Sequence, residues 1–168
     1  MEFTSPRLAC EEHLDAVCEK LTAALGFPIM VDDIRWDLKS NRVAGQACGR
    51  NIRLSPGFLA TAGLETYKST VTHEVAHVAV FIWKNRMRGM GLRLVEAEWS
   101  AHGTRWKHVM RLAGAEPRRR HTYEAPSEHK YKATCGCPDK VHGWNRKPKY
   151  AINTYKCKRC NCKLSAAV

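Results

Sequence analysis

The sequence predicts an α+β domain followed by a small cysteine-rich module. Segments with the apolar spacing of helices surround a group of short alternating segments that are typical of strands. Five of the eight cysteines lie in the last 34 residues. A chain of 168 residues, 44% of them apolar, is long enough for one medium core and an appendage.

The first predicted element is a helix that begins at Ser5-Pro6, a pair suited to the N-cap and the first helical position. Gly26 and Pro28 end it. The apolar residues with helical spacing are Leu8, Leu14, Val17, Leu21 and Leu25.

Three short strands are expected next, over residues 34–38, 43–48 and 51–54. Ser40-Asn41 is predicted to form a turn between the first two, which makes the group a small antiparallel meander. Ser55-Pro56-Gly57 interrupts the strand pattern.

A long apolar helix is predicted from Leu64 to Met87 and is closed by Gly89. Gly91 to Ser100 is expected to connect it to another helix, which starts after Gly103 and runs to Leu112. Gly114 then supplies the C-terminal signal.

A membrane-spanning or secreted protein is not expected. The longest apolar run, Val78 to Trp83, is far shorter than the ~20 residues needed to span a bilayer. The N-terminus has no charged region followed by an apolar one, so we expect a cytoplasmic protein. Cysteines in that compartment favour metal binding over disulfides. Cys10, Cys18 and Cys48, which are scattered, are expected to be small buried hydrophobes.

The sequence His73-Glu74-Val75-Ala76-His77 lies inside the long apolar helix. Residues four apart share a helix face, so both imidazoles can bind one zinc ion. Glu74 can then reach a water molecule at the metal without binding the metal itself, which is the arrangement of a metallohydrolase. Catalytic zinc has three protein ligands as a rule. Spacing alone leaves the third open among His102, Glu96, Glu98 and His108.

Cys135-Gly136-Cys137 and Cys157-Lys158-Arg159-Cys160 form two close pairs. Four thiolates can close a structural zinc site, which replaces the core that so small a module cannot build. Two alternatives stay open: Cys162 in place of Cys160, and His142 in place of Cys135 or Cys137.

Positive charge is concentrated in the same module. Residues 1–115 carry a net charge of +3 and residues 116–168 carry +9. Such a patch is typical of a nucleic-acid binder, and interleaved aromatic residues can stack on bases. We expect salt-sensitive, sequence-tolerant DNA binding that favours single strands. The predicted DNA-binding residues are Arg118, Arg119, Arg120, Arg146, Lys147, Lys149, Lys158 and Arg159.

Several motifs in order resemble the SprT-like and Spartan metallopeptidases. After His73-Glu74-Val75-Ala76-His77 comes His102-Gly103-Thr104-Arg105-Trp106, and Asn51-Ile52-Arg53-Leu54-Ser55 resembles the preceding strand. Arg118-Arg119-Arg120-His121 resembles the basic segment before the ribbon of bacterial members. Tyr131, Asn145-Arg146, Tyr155-Lys156-Cys157 and Leu164 resemble the ribbon, which in these members tolerates a short first cysteine pair.

The resemblance covers roughly residues 6–165. It implies a minimal zincin-like fold over residues 1–116, a basic linker over 117–130 and a zinc ribbon over 131–168. It also implies His102 as the third ligand of the catalytic zinc and Glu74 as the acid/base.

The function expected from residues and resemblance together is that of a DNA-associated zinc endopeptidase. It would cleave proteins bound or crosslinked to DNA, at the nucleoid, without a small-molecule cofactor. The alternatives are a nucleic-acid-binding or regulatory zinc protein with a non-catalytic histidine site, and a peptidase indifferent to DNA.

Overall fold

The computed structural model describes residues 5–39, 43–119, 130–138 and 140–166. The chain divides into two compact units, residues 1–125 and residues 126–168. Each unit is described by itself. Over the described residues the protein is a mixed α+β structure with four α-helices and two small sheets.

The first unit contains four helices and three strands among its described residues. In chain order these are α1 (Pro6–Leu25), β1 (Asp33–Arg35), β2 (Gly45–Cys48), β3 (Asn51–Leu54), α2 (Pro56–Ala62), α3 (Leu64–Gly89) and α4 (Thr104–Leu112). The predicted helices at 6–25, 64–87 and 104–112 are therefore confirmed. The predicted turn at Ser40-Asn41 lies outside the described residues.

The same dipeptide begins two of these helices. Ser5 Oγ accepts a hydrogen bond from the N–H of Leu8, and Ser55 Oγ accepts one from the N–H of Phe58, each at 3.2 Å. Ser55-Pro56-Gly57 ends the strand pattern as expected, since β3 stops at Leu54, but the helix that begins there was not predicted. Those residues start α2, because serine at the N-cap and proline at the first position favour a helix there too.

The sheet of the first unit has the order β1-β3-β2. β2 and β3 are antiparallel and share a two-residue turn, in which Gly49 takes a φ of +62°. β1 runs parallel to β3, so the predicted antiparallel meander was wrong. The connection of nine residues between β1 and β2 is long enough for β2 to join the far side of β3.

Helix α3 runs through the core of the first unit. Its side chains Val71, Val75 and Val78 are fully buried, in one cluster with residues of α1, α4 and the sheet. The hydroxyl of Tyr67, also on α3, lies 3.0 Å from both the carbonyl of Ala44 and that of Ser55. This contact holds the N-terminal part of α3 against the segments that flank the β2–β3 hairpin.

The second unit has a very small core. Its strands β4 (Tyr131–Thr134), β5 (Val141–Trp144) and β6 (Ser165–Ala166) form an antiparallel sheet of order β5-β4-β6. A 3₁₀ turn spans Ile152–Thr154. In the described part of the unit, the buried apolar residues are Ala133, Cys157 and Leu164. Three such residues are too few to stabilise a fold alone, so a further constraint is needed.

None of the helices described in either unit is long and apolar enough to cross a membrane.

Candidate metal centres and the cleft

Three histidines from two segments of the first unit converge. His73 and His77 lie one turn apart on α3, and His102 lies in the turn before α4. The Nε2 atom of His73 is 3.2 Å from that of His77 and 3.2 Å from that of His102. Ligand atoms around a tetrahedral zinc with Zn–N bonds of 2.0–2.1 Å are about 3.3 Å apart, so the three imidazoles fit such an ion.

The approach of His102 depends on the glycine that follows it. A Cβ atom at Gly103 would lie 2.6 Å from the carbonyl oxygen of Glu98 and 2.7 Å from that of Ala97. The turn over residues 96–103 is therefore folded too tightly for any side chain at this position. This is the physical reason for a glycine beside the third histidine.

Arg105 fastens the same turn to α3. Its guanidinium donates two hydrogen bonds to one oxygen of Glu98, at 3.2 and 2.9 Å. The same group lies over the rings of Trp83 and Trp99, 5.2 and 5.4 Å from their centroids. Cation–π contacts and a paired carboxylate thus bind the turn to α3 through Trp83.

Trp106 lies beneath the three imidazoles. Its ring centroid is 4.8 Å from that of His73, 5.6 Å from that of His77 and 4.7 Å from that of His102. Trp106 is completely buried, so it supplies a rigid surface that restricts the orientation of all three rings.

The other candidates for a third ligand are engaged elsewhere. Glu96 accepts from Lys84 at 2.7 Å and from Arg88 at 2.8 Å, and Glu98 pairs with Arg105. His108 lies beside the ring of Trp83. Of the four candidates, the structure brings His102 alone to His73 and His77 within the described residues.

Glu74, the residue after His73 on α3, packs against strand β2. Its side chain is buried, and a Cβ atom at Gly45 would lie only 2.7 Å from Glu74 Cγ. Burial raises the pKa of Glu74 to about 7, although a hydrogen bond from the N–H of Ala47 acts to lower it. A carboxyl group with such a pKa can both take up and release a proton near neutral pH.

The surroundings of His77 and His102 favour the neutral imidazole, which is the form that binds metal. Burial, and then the neighbouring His73 and His102, lower the pKa of His77 to about 3. Burial, and then the charge of Arg119, lower the pKa of His102.

These groups line an open cleft of about 450 Å³. Strand β2 and the following turn form one wall, and α3 forms the floor. The lining residues that sequence reasoning missed are Gly45, Gln46, Ala47, Gly49, Phe81 and Ala101. A glycine inside a strand pattern, as at Gly45, is a signal of close approach that could have pointed to this wall.

Four cysteines of the second unit form the other candidate centre. The Sγ atoms of Cys135, Cys137, Cys157 and Cys160 all lie within 4.8 Å of one another. Backbone N–H groups point at three of the four sulfurs, those of Cys135, Cys157 and Cys160. The N–H groups of Cys160 and Arg159 contribute to lowering the pKa of Cys157 to about 5, whereas the sulfur of Cys160, and then burial, raise the pKa of Cys137. Thiolates stabilised in this way are the ligands of structural zinc.

The short first pair fits the same geometry, because the N–H of Cys137 donates to the sulfur of Cys135. Cys162 is exposed, with its Sγ 3.5 Å from the carbonyl of Cys160. The Nε2 atom of His142 lies 3.4 Å from Cys135 Sγ. Neither of these two alternatives belongs to the group of four.

The scattered cysteines differ from one another. Cys10 and Cys18 are buried in the core, as expected. The same expectation for Cys48 was wrong, since Cys48 is exposed. It ends β2 on the face opposite to Gly45 and Ala47, because side chains alternate along a strand.

The predicted DNA-binding residues lie at the surface where the structure describes them. Arg118 pairs with Glu116 at 2.7 Å, and Arg119 is exposed. Arg120 lies outside the described residues. Those of the second unit, all exposed, are Arg146, Lys147, Lys149, Lys158 and Arg159.

Comparison with known proteins gives one family. No curated protein and no solved structure matches the chain significantly. The model of the SprT-like family matches residues 24–129, which is more than half of the chain and includes the three histidines and Glu74. The chain therefore belongs to the SprT-like family, whose domain is of a metallopeptidase-like type.

Proposed function

We propose that the chain is a zinc-dependent endopeptidase with a minimal zincin-like fold over residues 1–116. The observation that carries this proposal is the convergence of His73, His77 and His102 in an open cleft that also contains Glu74. Three imidazole ligands fit zinc better than a hard cation, which prefers oxygen ligands.

Zinc in such a site supplies Lewis acidity, which activates water and polarises a carbonyl group. Glu74 has the proton-transfer role. Its carboxylate accepts a proton from the attacking water and then donates it to the amine of the leaving product. The close packing of Glu74 against Gly45 restricts its rotamers, so the carboxylate stays at the edge of the cleft.

The form of the cleft favours a polypeptide substrate. β2 is an edge strand, and its outer edge pairs with no strand among the described residues. An extended peptide can add to such an edge through main-chain hydrogen bonds. The scissile bond would then lie over α3, beside the histidines.

The second unit is proposed to be a zinc ribbon, held by its four cysteines, that binds DNA without sequence preference. Its cavity of about 220 Å³ is lined by lysines and by two aromatic rings, those of Trp144 and Tyr155. Lysines neutralise phosphates, and rings of this kind stack on unpaired bases. The lysines are Lys140, Lys156 and Lys158.

On this basis we propose that the substrates are proteins bound or crosslinked to DNA, cleaved at the nucleoid in the cytoplasm. The basic residues would hold the enzyme on DNA, which raises the local concentration of such substrates. The basic segment 117–130 would link the two parts, although residues 120–129 lie outside the described ones.

The test is proteolysis of a DNA-binding protein, measured with and without single-stranded DNA. Glu74→Gln should keep two zinc ions per chain and normal DNA binding but lose cleavage. Glu65→Gln is the matched control, because Glu65 lies on the same helix and is exposed.

Cleavage by Glu74→Gln at the wild-type rate would remove Glu74 from the reaction. Two zinc ions and DNA binding without any proteolysis by the wild type would instead favour a nucleic-acid-binding zinc protein. Proteolysis that DNA leaves unchanged would favour a peptidase indifferent to DNA.

A further inference from the structure

One aromatic side chain in the cleft has no part in the proposed chemistry. Phe81 follows His77 by four residues on α3, so the two lie on the same face one turn apart. The neighbours of Phe81 on the helix, Val78, Ala79 and Val80, are buried, whereas Phe81 itself is 41% exposed. Among the described residues that line the cleft, Phe81 is the one large apolar side chain.

The surroundings of Phe81 leave part of the ring open to the cleft. On one side stands the turn after β2: a Cβ atom at Gly49 would make ordinary contacts of 3.7 and 3.8 Å with Cζ and Cε1 of the ring. Single exposed apolar residues are common on protein surfaces. Phe81 differs from those because it shares a cavity with the three histidines and Glu74.

We infer that Phe81 is a specificity-determining residue that receives an apolar side chain of the polypeptide substrate. The inference rests on the proposed function and adds a substrate class to it. Burying an aliphatic or aromatic side chain against this ring removes apolar surface of both from water, which favours binding.

The geometry limits which substrate residue this is. One helical turn advances 5.4 Å, and an extended peptide advances about 3.3 Å per residue. A peptide along β2 therefore brings to Phe81 a side chain within about two residues of the bond cleaved at the histidines. Because strand side chains alternate, every second one faces α3, as Gly45 and Ala47 do on β2 itself.

The inference predicts a fixed preference in cleavage. Mass spectrometry of the peptides released from unfolded casein should show apolar residues enriched at one position within two residues of the cut. In Phe81→Ala that enrichment should disappear. For a fluorogenic peptide with leucine there, kcat/KM should fall by about tenfold to a hundredfold, mainly through KM, since pocket contacts of this size discriminate by that much.

Two further variants separate recognition from folding. Phe81→Leu should retain the enrichment, because it keeps an apolar surface of similar size. Leu92→Ala is the matched control: Leu92 is 48% exposed but does not line the cleft, so its loss should change nothing. Zinc content should equal that of the wild type in all three variants. The inference would be overturned if Phe81→Ala kept the enrichment of apolar residues, or if Leu92→Ala lost that enrichment as fully as Phe81→Ala does.

A binding experiment distinguishes this inference from the proposed function. Anisotropy of the labelled leucine peptide can be measured with Glu74→Gln and with Glu74→Gln/Phe81→Ala, both loaded with zinc. We expect at least tenfold weaker binding to the double variant. If the wild type cleaves no protein, the proposed function fails, and this comparison still decides the role of Phe81. Equal binding to both variants would refute it.

Discussion

Replacing Gly103 by alanine tests whether the third histidine is positioned by backbone packing. The added Cβ would lie 2.6 Å from the carbonyl oxygen of Glu98, and real contacts of this kind are above 3.0 Å. The turn over residues 96–103 must therefore open by at least 0.4 Å, and the crowding should cost about 1–3 kcal/mol of folding free energy.

The displacement also moves His102, which is the neighbour of Gly103 in the chain. A misplacement of about 1 Å in a catalytic group can cost roughly a hundredfold in rate. We therefore expect Gly103→Ala to bind its catalytic zinc at least tenfold more weakly and to lose most of its activity. The zinc of the second unit should stay in place.

The assay is zinc content after dialysis against a graded series of chelator, followed by the melting temperature and kcat/KM. Gly89→Ala is the matched control, because a Cβ at Gly89 meets nothing within 4 Å. Alanine is also the better helix former, so this variant should be at least as stable as the wild type. Wild-type zinc affinity and activity in Gly103→Ala would refute the argument.

Three further results are expected. Gly45→Ala should lower kcat by about a hundredfold while both zinc ions remain bound. The added Cβ would lie 2.7 Å from Glu74 Cγ and would displace the Glu74 carboxylate. Loss of zinc in parallel with kcat would contradict this explanation. At pH 8 an alkylating reagent should modify the exposed Cys48 but not Cys18. Burial raises the pKa of Cys18 to about 11 and so keeps its thiol protonated. Mass spectrometry of the folded protein after alkylation measures which cysteine is modified, and equal labelling of both would contradict the prediction. Removing zinc with a strong chelator should abolish the backbone amide dispersion of residues 130–166 but leave the methyl signals of the first unit dispersed, with shifts confined to the surroundings of the three histidines. Retained amide dispersion in residues 130–166 would show that the small core is sufficient without metal.

Local signals predicted much of the fold. Ser5-Pro6 and Gly26 set the limits of α1, and serine, proline and a C-terminal glycine do the same for α2. The second helix was missed because its seven residues are too few to show a 3.6-residue period, and the pair Ser55-Pro56 was interpreted as an interruption. The same serine–proline start and glycine end therefore predicted α1, which has a periodic apolar pattern, but not α2, which is too short to show one.

Long-range pairing was the part that the sequence could not supply. The residues of β1 and β2 indicate strands, but nothing in them says which edge of β3 each will join. The third ligand presented the same difficulty. His73 and His77 are related by the helix itself, whereas the approach of His102 depends on the turn that Arg105 and Gly103 hold in place.

The two candidate metal centres differ in what would hold them together without metal. Around the histidines, the completely buried Trp106 and the core along α3 orient the side chains, so the cleft is built by the fold of the first unit. Around the four cysteines, only three buried apolar residues are described, and one of them is the ligand candidate Cys157. Metal would thus complete a preformed site in the first unit, whereas in the second it would supply much of the folding free energy.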